Sequence, residues 1–290
     1  MKSEIRNGKL FLEGKEIQIG EFIFLAEIGR GANAVTFLVK NNLPERKEVI
    51  KVWYEENKYG RLKIEKFMAE IQKNATLHVR NTPVIYEAKE QDNLHWCRME
   101  YIEGNTLKER LGEKPEFYTR YWWTESILNI LEEVYQKGIW HGDLHSKNII
   151  IEKTSEQPYI IDFGTSILSG IEKSHLRDAT MLYNLVREIL PEMKDLVFIT
   201  DELCKEPSKI ICAVLQFAIK ILSGIVRYKK NELDEYGIKS ELINPINIIQ
   251  LICQENKTKF KIEQQLVDKY FDFLKLNRKE YDYILNAISR

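Results

Sequence analysis

Short alternating runs fill most of the first hundred residues. Lys9–Leu12 and Ile17–Ile19 alternate apolar and polar positions around Glu13-Gly14-Lys15-Glu16, which predicts a hairpin. Phe22–Ile28, Val35–Lys40 and Val49–Trp53 are further β-rich runs punctuated by Gly, Asn and Pro, and Val84–Glu87 and Leu94–Met99 follow. One helix interrupts them: Leu62, Ile64, Phe67, Met68 and Ile71 recur at helical spacing within Arg61–Lys73. After Glu103-Gly104-Asn105 the period lengthens. Tyr118–Lys137 and Arg177–Leu190 predict helices, the second stopped by Pro191, with two short apolar runs, Ile149–Ile151 and Tyr159–Ile161, between them.

The pattern predicts an α+β protein of two lobes around a cleft: a β-rich lobe with one helix over residues 1–100, then a mainly helical lobe over 101–290. Beyond Pro191 the most apolar stretch, Ile210–Val226, is interrupted by Gln216, Lys220 and Ser223. A spanning helix needs roughly twenty apolar residues, so this stretch reads as a buried core helix and no membrane partner is expected. Lys257–Ala287 repeats apolar residues at helical spacing, from Phe260 and Leu266 to Ile284, and is expected to pack against the helical lobe.

Composition narrows the class. The 290 residues are 44% hydrophobic and 30% charged, which excludes a disordered chain. Forty-three basic against forty-four acidic side chains leave a net charge of −1, so no chain-wide grip on nucleic acid is implied. Cys97, Cys204, Cys212 and Cys253 form no CxxC pair, and the N-terminal Met-Lys-Ser-Glu-Ile-Arg-Asn-Gly carries no apolar secretory core; both point to a cytoplasmic protein with reduced thiols.

The chemistry lies in a few short features that occur in a fixed order. Ile28-Gly29-Arg30-Gly31-Ala32-Asn33-Ala34 sits between two strands, where glycines let backbone N–H groups approach phosphate oxygens; an ordinary glycine hairpin is the alternative. Val49-Ile50-Lys51-Val52 puts an ammonium in an apolar strand, a setting that calls for phosphates or a carboxylate such as Glu70 unless the lysine is solvated. Trp140-His141-Gly142-Asp143-Leu144-His145-Ser146-Lys147-Asn148 is the strongest signal. Asp143 can accept a hydrogen bond from an attacking hydroxyl, and Asn148 can offer an oxygen to a hard cation. His141 and His145 also invite a zinc reading but lack a third ligand. Asp162, within Ile160-Ile161-Asp162-Phe163-Gly164, follows Asp143 by nineteen residues and supplies a second carboxylate after apolar residues.

Taken together, GRGANA, VIKV, Glu70, MEYIEG, HGDLHSKN and DFG resemble the protein-kinase-like superfamily over roughly residues 20–190. The likeness is to atypical, bacterial-type Ser/Thr protein kinases, with some features of aminoglycoside- and choline-kinase-like enzymes. The resemblance implies the bilobal kinase fold and ATP- and Mg2+-dependent phosphoryl transfer to a hydroxyl, with Mn2+ as an alternative ion. Gly29 and Gly31 would cover the phosphates, and Lys51 would clamp them and pair with Glu70. Met99 would stand behind the adenine, which the backbone of Glu100 and Ile102 would hydrogen-bond. Asp143 would be the catalytic base, Asn148 and Asp162 would hold the metal, and Asp178, opening the second helix, would be structural.

Three departures matter. Regulated protein kinases commonly carry an arginine before the catalytic aspartate to grip a phosphorylated activation loop. Gly142 stands here, so activity without activation-loop phosphorylation is expected. His145 replaces the usual lysine, and thirteen residues separate Gly164 from Asp178, which shortens the peptide-docking platform. The acceptor is therefore a protein or a small-molecule hydroxyl, and a nucleotide-binding pseudokinase scaffold is the third reading.

Overall fold

The structure is a computed structural model that describes residues 2–31, 34–53, 71–72, 77–91, 94–163 and 171–191, with individual residues between 211 and 237. The chain divides into two compact units: Met1–Asn105 with Ile150–Leu168, and Thr106–Ile149 with Ser169–Arg290.

The first unit opens with a three-stranded antiparallel meander, β1 (Ser3–Arg6), β2 (Lys9–Leu12) and β3 (Lys15–Ile17). The expected hairpin is present, and a strand precedes it. The reason lies in Asn7-Gly8, whose φ of 51° and 76° makes the left-handed two-residue turn that joins twisted strands without splaying them. An antiparallel five-stranded sheet follows: β4 (Ile23–Arg30), β5 (Ala34–Asn42), β6 (Glu45–Trp53), β7 (Ile85–Gln91) and β8 (Leu94–Glu100), in the order β4-β5-β6-β8-β7. Leu10, Leu12 and Ile19 share one core with Phe24, Val35, Phe37, Val39, Ile50 and Trp96, so the meander completes the core of the larger sheet.

That sharing has a measurable consequence. Leu10→Ala removes a wholly buried side chain and is expected to lower stability by about 2–5 kcal/mol. Urea unfolding reads this as a lower midpoint at unchanged slope. A change within about 0.5 kcal/mol would make the meander an ornament.

Three further strands, β9 (Gly104–Thr106), β10 (Ile149–Glu152) and β11 (Pro158–Ile160), form a small sheet ordered β11-β10-β9. The β9 and β10 backbones approach so closely that a Cβ on Gly104 would stand 2.1 Å from the Ile151 carbonyl oxygen, and glycine alone fits there. Lys153 N–H donates to Glu103 O and Ile160 N–H to Asn81 O, which ties residues 150–168 to the first unit.

In the second unit, α1 (Leu107–Gly112) starts from a reciprocal cap between Thr106 and Glu109. Helix α2 (Phe117–Gln136) buries Trp123, Ile127, Leu128, Leu131 and Val134 along one face. Helix α3 (Ile171–Ile189) buries Ala179, Leu182, Leu185, Val186 and Ile189 and ends just before Pro191. Arg120 of α2 donates to the last carbonyl of α3, at Ile189 (2.8 Å). Ile211, Cys212, Leu215, Ala218 and Ile219 are helical and wholly buried, as the expected apolar core helix requires. Among the described residues no helix is long and apolar enough to cross a membrane.

Helix α3 begins before Arg177, so Asp178 lies inside the helix and does not open it. Of the expected Arg61–Lys73 helix, Ile71 and Gln72 are described and are helical; Glu70, Gly164 and Lys257–Ala287 lie outside the described residues.

Candidate functional site

Within the first unit, β6 carries Lys51 between the wholly buried Ile50 and Val52. Its ammonium pairs with the Asp162 carboxylate and lies 5.0 Å from the centre of the Trp53 ring. The sequence suggested Glu70 as the partner, but the described contact is with Asp162. Asp162 has a φ of 70°, left-handed backbone that costs a non-glycine residue about 1–2 kcal/mol, and it directly precedes the buried Phe163.

Both charged groups line a cavity of about 130 Å³. Ile28, Val49, Met99, Ile150 and Ile161 give it apolar walls, and the segment Glu100–Ile102 contributes to its lining. A cation and a carboxylate set among aliphatic side chains suit a flat, largely apolar ring that carries an anionic tail. The Glu100 N–H is bonded to the Val84 carbonyl at 2.9 Å, so any hydrogen bond from the Glu100 backbone to a ligand must use its carbonyl.

The same segment is braced by a group that sequence reasoning missed. Glu48 is wholly covered, pairs in register with Glu100, and accepts hydrogen bonds from Arg46 and, at 2.9 Å, from Arg98. Burial pushes its carboxyl up, but the two guanidiniums more than offset this and hold it below the usual carboxylate range.

Gly29 faces Thr36 in the β4–β5 ladder, and Gly31 closes the turn by donating to the Ala34 carbonyl at 2.9 Å. A Cβ on Gly29 would meet Thr36 at 3.6 Å, and one on Gly31 would meet Ala34 O at 3.8 Å, both ordinary contacts. Neither glycine lies in the left-handed region. Among the described residues, then, neither backbone angle nor crowding demands glycine at 29 or 31.

Within the second unit, the loop between α2 and the 3₁₀ turn Ser146–Asn148 is held from α3. The wholly buried Asp178 accepts the N–H groups of His141 and Gly142, both at 2.6 Å. Gly142 makes this possible with a φ of 84°, so its lack of a side chain has a backbone cause. Glu188, lower on α3, accepts from the Ser146 hydroxyl at 2.8 Å. Burial, followed by the charge of Asp178, holds the Tyr135 hydroxyl well above its ordinary pKa, so it stays neutral beside the clamp.

The clamp presents Asp143 half exposed. Its backbone N–H donates to His141 Nδ1 (3.2 Å), while His145 Nε2 stands 3.7 Å and the Arg177 guanidinium 4.0 Å from its two carboxylate oxygens. The Asn148 amide donates to the Asp143 carbonyl at 2.9 Å, which turns the side-chain oxygen of Asn148 away from that bond and makes it a possible hard ligand.

The donor set decides which ion fits. Among the described residues no three His, Cys, Asp or Glu side chains gather into a metal cluster, and buried His141 is turned inward toward the Asp143 N–H, so the zinc reading has no support. Asn148 in the second unit and Asp162 in the first each offer an oxygen, the donor type of a hard ion that draws its other ligands from phosphates and water, as magnesium does.

Comparison with known proteins agrees with this geometry. A model of the family described as protein kinase domain matches residues 22–186, more than half of the chain. The chain is similar to the serine/threonine-protein kinase PrkC of Bacillus subtilis, 27% identical over 192 residues that cover 62% of this chain and 28% of that protein. It is also similar to serine/threonine-protein kinase D of Synechocystis, at 28% identity over 50% of this chain and 30% of that one. The chain thus spans less than a third of the length of either relative. Among solved structures, the PknI kinase domain of Mycobacterium tuberculosis superposes with a TM-score of 0.56 at 14% identity, over 76% of this chain and all of that one.

Proposed function

Since the chain belongs to the protein kinase family, we propose that it transfers the γ-phosphoryl group of ATP to a Ser or Thr hydroxyl with Mg2+ bound. The observation that carries this reading is the first-unit cavity, in which Lys51 and Asp162 meet aliphatic walls beside Glu100–Ile102. Met99 and the backbone of Glu100 and Ile102 would receive the adenine, Lys51 the phosphates, and Gly29 and Gly31 would cover them. Glu70 keeps its assigned role as the second partner of Lys51.

In the transfer step, Asp143 takes the proton of the acceptor hydroxyl as its oxygen bonds to the γ-phosphorus. The bond from that phosphorus to the β-phosphate oxygen breaks, and ADP leaves. Asn148 and Asp162 would hold the magnesium, which when bound neutralises phosphate charge. The remaining work is positioning, which the Asp178 clamp does for Asp143. Gly142 offers no guanidinium to a phosphorylated loop, so activity is proposed to need no activation-loop phosphorylation. A cytoplasmic setting belongs to the same proposal and is supported by Cys97 and Cys212, which are buried and outside any disulfide.

A specific observation favours a second reading. Helix α3 begins at Ile171, eight residues after Phe163, which leaves little chain for a peptide platform and suits a small hydroxyl acceptor. Incubation of the protein with γ-labelled ATP, Mg2+, a generic protein substrate and a panel of small alcohols separates the readings. Label on Ser or Thr supports the first, and label confined to an alcohol supports the second. ATP binding without transfer, in Mg2+ or Mn2+, overturns both. A tenfold or greater rise on phosphorylation of Thr165, Ser166, Ser169 or Ser174 overturns the claim of phosphorylation-independent activity.

A further inference from the structure

Arg177 has no place in the roles assigned so far, yet the fold delivers it to Asp143. Its neighbour in sequence, Asp178, is fixed to the His141 and Gly142 amides, so residue 177 must arrive beside the loop that carries Asp143. There the guanidinium stands 4.0 Å from Asp143 Oδ1, with both side chains nearly half exposed. That separation is beyond hydrogen-bond reach, and an exposed pair of this kind contributes little to stability. The guanidinium makes no hydrogen bond among the described residues and cannot lose its proton. It is therefore a fixed positive fork with its donors uncommitted, next to the carboxylate that receives the acceptor. His145 Nε2, 3.7 Å from the other oxygen, and the exposed Lys147 add no competing negative charge, and the adjacent acid Asp178 is bonded to the His141 and Gly142 amides.

We propose that Arg177 selects the acceptor: the hydroxyl that reaches Asp143 belongs to a molecule carrying a carboxylate or phosphate close to that hydroxyl, which Arg177 receives in a bidentate grip. The inference rests on reading Asp143 as the base and names the substrate class of the same site. Two sources share this chemistry, an acidic peptide around Ser or Thr and a small hydroxy acid or phosphorylated alcohol.

The test measures kcat/KM on matched acceptors. One arm uses serine peptides flanked by Asp or Glu, by Ala, or by Lys; the other uses small hydroxy acids and phosphorylated alcohols against neutral polyols. The wild-type protein is expected to prefer the anionic members by roughly tenfold to a hundredfold, the scale of a hydrogen bond to a charged group. Arg177→Ala should collapse that ratio, Arg177→Lys should keep part of it, and Arg177→Glu should turn the preference toward Lys-flanked peptides. The arm that shows the preference identifies the source. Transfer with no preference for anionic acceptors, or with the same ratio in wild type and Arg177→Glu, overturns the inference and leaves the kinase reading standing. An absence of transfer to every acceptor overturns the kinase reading and this inference with it. A ratio of two rates on one variant is insensitive to how much of that variant is folded.

Discussion

Asp143→Ala lowers phosphoryl transfer by about 10²–10⁴, some 2.7–5.4 kcal/mol of barrier, while ATP affinity changes little. The expectation follows from where the side chain stands. Its carboxylate has neighbours at 3.7 and 4.0 Å and so gives up no lone pair to a tight partner. The loop that carries it is fixed through backbone N–H groups by Asp178, and these bonds are indifferent to the side chain at 143. Stability should therefore stay within about 0.5 kcal/mol of wild type, as for most exposed positions. Single-turnover transfer and ATP titration on the same sample separate chemistry from binding. A loss of less than tenfold would remove Asp143 from the role of base, because positioning and charge neutralisation would then account for the rate. Asp143→Asn, which keeps shape without basicity, should lose about as much; rescue by Asn would mean that the residue only positions the acceptor.

The parts of the fold that were legible are those in which local pattern and burial coincide. β5 and the apolar half of β6 alternate or run apolar because both are covered, and α2 shows its period in Trp123, Ile127, Leu131 and Val134. What escaped was decided by pairing at a distance. Ser3–Arg6 carries one apolar residue, Ile5, too few for a visible alternation, and becomes a strand because β2 lies beside it, although the Asn7-Gly8 turn was a readable sign. Glu45–Lys47 extends β6 through three charged residues that the sheet leaves exposed. Helix α1, which the structure shows capped by Thr106 and Glu109, is too short for periodicity to reveal.

The candidate site divides along the same line. Asp162 stands out because it interrupts an apolar run, and Asp143 and Asn148 because they sit in a compact polar loop between a helix and an apolar run. The tasks of Asp178, Glu48 and Arg177 are set by contacts with residues far away in sequence. Asp178 looked like the first residue of a helix; in the structure it lies inside α3 and satisfies amides 36 and 37 residues away. No helical period or loop motif encodes that distance.

Lys51→Met carries the second large expectation. Methionine keeps the length of the stem between Ile50 and Val52 and removes the charge that meets Asp162. The lysine side chain is 12% exposed, so the fold holds a largely covered ammonium whose described partner, Asp162, is half exposed. Methionine leaves Asp162 without its ammonium, but that carboxylate is half exposed and water takes the place of the lost partner, so thermal unfolding should show only a small loss. Phosphoryl transfer is nevertheless expected to fall by about 10²–10³, the scale of losing one preorganised donor to transferring charge. Asp162→Asn tests whether the two act together. If Lys51 and Asp162 serve one bound triphosphate, the double variant should be far less impaired than the product of the single losses predicts, because the second change removes a partner already idle. Losses that multiply would show that the pair is a resting-state contact and that each residue meets the nucleotide independently. Wild-type rates in Lys51→Met would exclude the first-unit cavity as the place where ATP is used.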